Sequence, residues 1–90
     1  MNTEQWELYQ RLYADIESGK ISSLILYIIL KERLDAQQFE QMTNIRLGES
    51  LLRIGGGNAQ ILNFLIEKFD HHSIATEARK KLRHIKSQKT

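Results

Sequence analysis

The chain has 90 residues, of which 41% are hydrophobic and 27% are charged, with no cysteine and no proline. These values predict one small globular domain that buries only about 60–65% of the surface exposed by the unfolded chain, which leaves little free energy for the strained groups of an enzyme site. The absence of cysteine excludes disulfides, thiolate nucleophiles and cysteine-based zinc sites, and it favours a reducing, cytoplasmic location.

Neither a signal peptide nor a membrane span is expected. Residues 1–20 carry four acids and no uninterrupted apolar stretch, unlike an ordinary signal peptide. The longest apolar run, Leu24–Leu30, has seven residues, whereas a helix that crosses a bilayer needs about 20.

Two helices are predicted in the first third of the chain. The first begins at Asn2 or Thr3 and ends at Gly19, and its apolar residues follow helical spacing: Trp6, Tyr9, Leu12, Tyr13 and Ile16. The second has Ser22 or Ser23 as its N-cap and is apolar around nearly its whole circumference over residues 24–34. Because such a helix is normally buried on all sides, and because no second strand exists with which this segment could pair, we expect a central buried helix here.

The middle of the chain is predicted to bend. Asp35 and Gln38 form a capping-box pattern for a third helix that carries Phe39 and Met42 inward. The apolar spacing then shifts, which indicates a turn near Thr43–Asn44.

In outline, residues 35–54 resemble the helix-turn-helix of bacterial repressors, with a corner at 43–45 and a short second helix at 47–54. The resemblance implies that residues 47–54 would be the recognition helix. Arg53 suits phosphate or guanine contacts there, whereas Glu49 would repel the DNA backbone.

The last two helices are predicted from their caps. Gly55–Gly57 end the preceding segment, and Asn58 caps a helix that is apolar over more than half its circumference: Ile61, Leu62, Phe64, Leu65, Ile66 and Phe69. Ser73 caps a final helix with one apolar arc: Ile74, Ala75, Ala78, Leu82 and Ile85. We therefore predict an all-α fold, a small bundle of four to six short helices with a central buried helix. It forms a single domain over residues 1–86, followed by a short disordered tail at 87–90.

Basic residues concentrate at the end of the chain. Residues 78–90 hold six of the 13 basic groups and no acid, which leaves seven basic and 11 acidic residues in positions 1–77. Affinity for DNA comes largely from phosphate neutralisation, so any nucleic-acid contact would begin at this tail, and the candidate residues are Arg79, Lys80, Lys81, Arg83 and Lys86. A solubilising face that complements the helix dipole is the alternative interpretation.

No catalytic or metal-ligating pattern is present in the sequence. His71 and His72 are adjacent and so point to different sides of a helix, and His84 is 12 residues further on. Carboxylates such as Asp15 and Glu17 are separated by about 200° on a helix. We predict no catalytic residue, no metal site and no cofactor.

Two apolar surfaces are candidates for binding another protein. Trp6, Tyr9 and Tyr13 form an i, i+3, i+7 stripe of residue types that dominate interface hot spots, although such a stripe can also pack on the core. The helix at 61–69 is more apolar than a 90-residue bundle can enclose, so we expect part of its apolar set to belong to an interface: Leu62, Phe64, Leu65 and Phe69.

These observations favour a small regulatory, chaperone or inhibitor protein. It would bind another protein, or a second copy in a homodimer, through an apolar helical face. A helical DNA-binding regulator that uses the basic last helix is the alternative. The two hypotheses differ in salt dependence, because phosphate contacts weaken steeply as salt rises.

Overall fold

A computed structural model describes residues 3–36 and 41–88. Within those ranges the chain forms five helices and no strand, which confirms the predicted all-α bundle; they are α1 (Thr3–Glu17), α2 (Ser23–Asp35), α3 (Gln41–Gly55), α4 (Ala59–Lys68) and α5 (Ser73–Ser87). Helix α5 extends through Ser87, the first residue of the predicted tail. None of the five helices in this part of the chain is both long and apolar enough to cross a bilayer. Asn2, Gln38 and Phe39, which the sequence assigned to helix starts and to the core, lie outside the described residues.

Two predicted caps close their helices with side-chain hydrogen bonds. The Ser22 hydroxyl accepts the N–H of Ile25 at 3.3 Å at the start of α2. At the start of α4, the Asn58 carboxamide oxygen accepts the N–H groups of Gln60 and Ile61 at 2.9 and 3.2 Å. Both caps satisfy donors that have no partner within the first turn of a helix.

Two other predicted caps are wrong. The cap of α5 is His72 and not Ser73, because the His72 Nδ1 accepts the N–H of Ile74 at 3.1 Å. Asp35 does not open a helix but ends α2, where its Oδ2 accepts a hydrogen bond from Lys31 Nζ at 2.9 Å, one turn earlier. That ion pair raises the pKa of Lys31 and lowers the pKa of Asp35, with the hydrogen bond as the main cause.

Helix α3 is the centre of the bundle, since it packs against α2, α4 and α5. Its buried residues recur at helical spacing: Thr43, Asn44, Leu47, Gly48, Leu51 and Gly55. Because four of these six residues are polar or glycine, a search for apolar periodicity misses the stripe and finds a false shift at Thr43–Asn44. The helix is continuous there. The predicted turn is wrong, and so is the helix-turn-helix resemblance that depends on it.

Glycines allow α4 and α5 to approach α3 closely. A Cβ at Gly48 would lie 3.0 Å from Phe69 Cζ and 3.1 Å from Ile74 Cδ1. A Cβ at Gly55 would lie 3.0 Å from Ile61 Cδ1. These contacts place the end of α4 near the middle of α3 and the start of α4 near its end, so α3 and α4 run antiparallel.

The neighbouring helices complete the core around α3. Gly55 lies against Ser23, and Arg33 donates a hydrogen bond to Asn44, so α2 also runs antiparallel to α3. The largest fully buried side chains come from α2 to α5: Leu26, Leu30, Leu47, Leu51, Ile61, Leu62, Leu65 and Ile74. From α1, Ile16 joins this core.

Helix α2 is not enclosed on all sides, contrary to the sequence-based expectation. Leu26 and Leu30 are fully buried, but Leu24, Ile25 and Ile28 remain 60%, 49% and 49% exposed. Helix α3 covers one side of α2, and the opposite side faces solvent in the described structure. The central position therefore belongs to α3, whose buried stripe contains the small residues that close packing requires.

Gly19 and Gly57 form a matched pair for testing the turn that ends α1. Gly19 has a φ of +78°, whereas Gly57 does not lie in the left-handed region, and a Cβ at either position would meet no atom within 4 Å. We expect Gly19→Ala to lower the free energy of unfolding by about 1–2 kcal/mol, because L side chains disfavour that conformation. Gly57→Ala should be neutral or stabilising by up to about 1 kcal/mol, through the entropy of the unfolded chain. Urea unfolding followed by circular dichroism measures both, and equal effects would contradict the backbone explanation.

Candidate protein-binding groove and basic helix

The aromatic stripe of α1 lies beside α3 and forms one wall of a groove. Trp6, Tyr9 and Tyr13 line this groove together with Met42, Thr43 and Arg46 from α3, and its volume is about 230 Å³. Trp6 is 48% exposed and Met42 is 69% exposed, while Tyr9 and Tyr13 are half-buried. The prediction that Met42 points inward is wrong. We call this feature the α1–α3 groove.

A residue of α2 holds one of the aromatic rings in place. The Arg33 guanidinium lies 5.0 Å from the centre of the Tyr9 ring and donates hydrogen bonds to the Tyr9 hydroxyl and to Asn44. These contacts join α1, α2 and α3 at a single side chain. Because a cation over an aromatic face and a charge-assisted hydrogen bond both restrain the ring, Tyr9 is preorganised in the groove wall.

The groove continues along α1 and α3 into a charged cleft of about 370 Å³. Arg46 lies between the two parts, with its guanidinium 6.0 Å from the centre of the Tyr13 ring. The far end is closed by an ion pair between Arg53 Nη2 and Glu17 Oε1 at 2.8 Å. The groove therefore has an aromatic end and a charged end, and in the described ranges no carboxylate forms an ion pair with Arg46.

Burial in this wall changes the titration of Tyr13. Burial raises the pKa of the Tyr13 hydroxyl, while the charge of Arg46 opposes the increase. Tyr13 thus stays neutral at physiological pH and can donate a hydrogen bond from its hydroxyl to an acceptor in the groove.

Most of the residues of α4 that were predicted to bind a partner are part of the core. Leu62 and Leu65 are completely buried, and Phe64 is 7% exposed, with its ring stacked on Tyr27 at a centroid distance of 4.8 Å. Helix α4 packs against both α3 and α5, so its wide apolar arc is used within the chain. The prediction that Leu62, Phe64 and Leu65 form a partner surface is therefore wrong. A Phe64→Glu substitution would place a carboxylate in the core. Phe69 is half-buried and lines a different cleft, of about 330 Å³.

Helix α5 presents the predicted cations to solvent. All five are exposed: Arg79, Lys80, Lys81, Arg83 and Lys86. Arg79, Arg83 and Lys86 lie on one face, where they line a shallow groove of about 300 Å³. Lys80 points elsewhere and pairs with Glu77 at 3.4 Å. Three of the five predicted residues therefore converge.

Three residues that line the α1–α3 groove were not predicted as site residues: Met42, Thr43 and Arg46. Met42 was assigned to the core and Thr43 to a turn, while Arg46, like the supporting Arg33 of α2, is an isolated cation with no local signal of its role. In the described part of the chain, no group of three or more histidine, cysteine or acidic side chains is placed to hold a metal ion. Comparison with protein-family models, curated proteins and solved structures found no match to this chain.

The raised pKa of Tyr13 predicts a loss of stability at high pH. The unfolded chain releases the tyrosine proton near pH 10, whereas the folded chain holds it to a higher pH. Above about pH 10 the unfolded state therefore binds fewer protons, and the free energy of unfolding falls as pH rises. Tyr13→Phe should reduce that fall. Urea unfolding at a series of pH values from 8 to 11 compares the two proteins, and identical slopes would contradict the prediction.

Proposed function

We propose that this protein is a small, non-catalytic regulatory, chaperone or inhibitor protein that binds another protein through the α1–α3 groove. The observation that carries the proposal is the exposure of Trp6 and Met42 at the edges of a groove that also contains Tyr9, Tyr13 and Arg46. Aromatic residues, methionine and arginine are the types that are enriched at protein interfaces. Trp, Tyr and Arg also dominate binding hot spots.

Preorganisation of the groove supports the same function. Tyr9 is restrained by Arg33 before any partner arrives, and Tyr13 is half-buried beside Arg46. These side chains therefore lose less conformational entropy on binding than freely rotating ones would. Trp6 and Met42 are exposed at the edges of the groove. The large aromatic ring and the flexible, polarizable thioether can adapt to the surface of a partner.

The non-catalytic role is supported by the chemistry of the buried polar side chains. In the described residues these are Thr43 and Asn44, neither of which titrates. Catalytic acids and bases are usually titratable groups with strongly perturbed environments. We also propose a reducing setting such as the cytoplasm, because the chain has no cysteine with which to form a disulfide.

Site-specific cross-linking in the native host tests the proposal. A photoreactive amino acid replaces Met42 in one variant and Asn63, an exposed residue of α4, in a matched control. We expect a specific protein adduct from position 42 and none from position 63. Adducts of equal identity and yield at both positions would contradict a groove-directed interaction.

The identified partner is then titrated against purified protein. Calorimetry measures the affinity of the wild type and of each variant, and the emission of Trp6, the single tryptophan of the chain, reports in addition on the groove in the proteins that retain it. Trp6→Ala should weaken binding by about tenfold or more, as expected for a hot-spot aromatic residue. Leu8→Ala is the control, because Leu8 is 60% exposed on α1 but does not line the groove. Circular dichroism confirms that each variant is folded.

Nucleic-acid binding through α5 is a second candidate, favoured by the convergence of Arg79, Arg83 and Lys86 on one exposed face. This candidate predicts that changing all three to glutamine lowers affinity for duplex DNA and reduces the slope of log K against log salt by about one per lost phosphate contact. The control variant loses the same charge elsewhere, at Arg11, Lys20 and Lys68. Equal losses in the two variants would indicate a dependence on net charge alone, and no binding by the wild type would exclude the candidate.

A further inference from the structure

Helices α1 and α3 run in the same direction along the α1–α3 groove. Tyr13 of α1 lies beside Arg46 of α3, with the guanidinium 6.0 Å from the centre of the ring. Further along both helices, Glu17 forms an ion pair with Arg53 at 2.8 Å. Both helices therefore pass from the aromatic end of the groove to its charged end in chain order. A segment that lies in the groove meets apolar side chains first and charged side chains next.

The aromatic end offers a partner one positive charge. In the described part of the chain, Arg46 is the charged residue among the six that line this end, and none of the six is an acid. Arg46 is exposed and forms no ion pair within the described ranges, whereas Arg53 is already paired with Glu17. Glu49 lines the charged cleft but not the aromatic end. An anion that enters from the aromatic end therefore meets Arg46 before it meets an acid.

The hydroxyl of Tyr13 adds a second donor beside Arg46. Both residues line the aromatic end and the charged cleft, so they mark the place where the two parts join. Burial raises the pKa of the Tyr13 hydroxyl, which therefore keeps its proton at physiological pH. A guanidinium and a neutral hydroxyl together suit a carboxylate, because an ionised carboxylate only accepts hydrogen bonds.

The spacing of the groove residues sets the spacing that a partner must match. Met42 and Arg46 are four residues apart on α3, which is about 6 Å along the helix axis. Two partner side chains that contact these residues must be separated by a similar distance. That distance corresponds to about two residues in an extended segment and to about three or four residues in a helix.

We propose that the α1–α3 groove binds an acidic–apolar segment of another protein, in which a large apolar side chain contacts Trp6 and Met42 and an aspartate or glutamate two to four positions away pairs with Arg46. This partner chemistry rests on the proposed function, because it specifies what the same groove binds. Burial of the apolar side chain at the aromatic end supplies most of the affinity. The carboxylate fixes the position of the segment, since charged contacts contribute more to specificity than to affinity.

Selection from a displayed library of short random peptides tests the chemistry of the partner. The full-length wild type and two variants with the same change of charge serve as targets. Arg46→Glu reverses the charge in the groove, and Arg11→Glu does so at an exposed residue of α1 that does not line it. We expect the wild type and Arg11→Glu to enrich an apolar residue and an acid at the proposed spacing. Arg46→Glu should enrich lysine or arginine in place of the acid.

The affinity of one selected peptide then measures the contact with Arg46. Calorimetry compares this peptide with its amide analogue, in which asparagine or glutamine replaces the acid, on the wild type and on Arg46→Gln. Loss of either charge should weaken binding by about threefold to tenfold at low salt, and loss of both should cost little more than loss of one. The difference between the two peptides should shrink as salt is added. Circular dichroism confirms that each variant is folded, and Arg46→Gln also serves as the selection target if Arg46→Glu is not.

Two outcomes distinguish the acidic–apolar segment from protein binding in general. Selected peptides that contain no acid and bind equally well to Arg46→Glu would overturn the acidic–apolar segment, while loss of their binding in Trp6→Ala would still support a protein-binding groove. A selection that enriches no peptide also overturns the acidic–apolar segment. The proposed function is judged separately, by the protein adducts formed from position 42.

Discussion

The close approach of α4 and α5 to α3 at Gly48 is the constraint on which the rest of the structure depends. With no Cβ at this position, Phe69 and Ile74 pack directly onto the α3 backbone. Leu47 and Leu51, on the same face, are then fully enclosed. A chain of 90 residues has few side chains with which to build a core, and direct contact with a helix backbone gives the highest packing density from the smallest number.

The close packing of other helices against α3 explains why α1 borders a groove. Helices α2, α4 and α5 pack closely against α3, whereas α1 reaches it through large side chains and the ion pair between Glu17 and Arg53. Ile16 is the buried anchor of α1, and Tyr9 is joined to α2 through Arg33. The rings of Tyr9 and Tyr13 thus separate α1 from α3. The groove that results between the two helices has Trp6 and Met42 at its rim.

The position of each helix in the bundle also decides which apolar surfaces remain uncovered. Helix α4 lies between α3 and α5 and buries most of its apolar arc, including Leu62 and Leu65. Helix α2 lies at an edge and leaves Leu24, Ile25 and Ile28 exposed, although its sequence is apolar all round. A thin core can enclose few helices completely, so an excess of apolar residues must appear at an edge. In this protein the edge is α2.

The sequence by itself determined the all-α class, a serine cap for α2 at position 22 or 23, the cap at Asn58, and the solvent-facing cations of α5, because these depend on helical periodicity and on bonds within one turn. Only the tertiary structure decided that α3 is central, since its buried stripe contains Asn44 and Gly48 in place of apolar residues. It also decided that α4 is core and that Met42 belongs to the α1–α3 groove. Periodicity shows which residues share a face of one helix, whereas the covering of that face depends on helices that are distant in the chain.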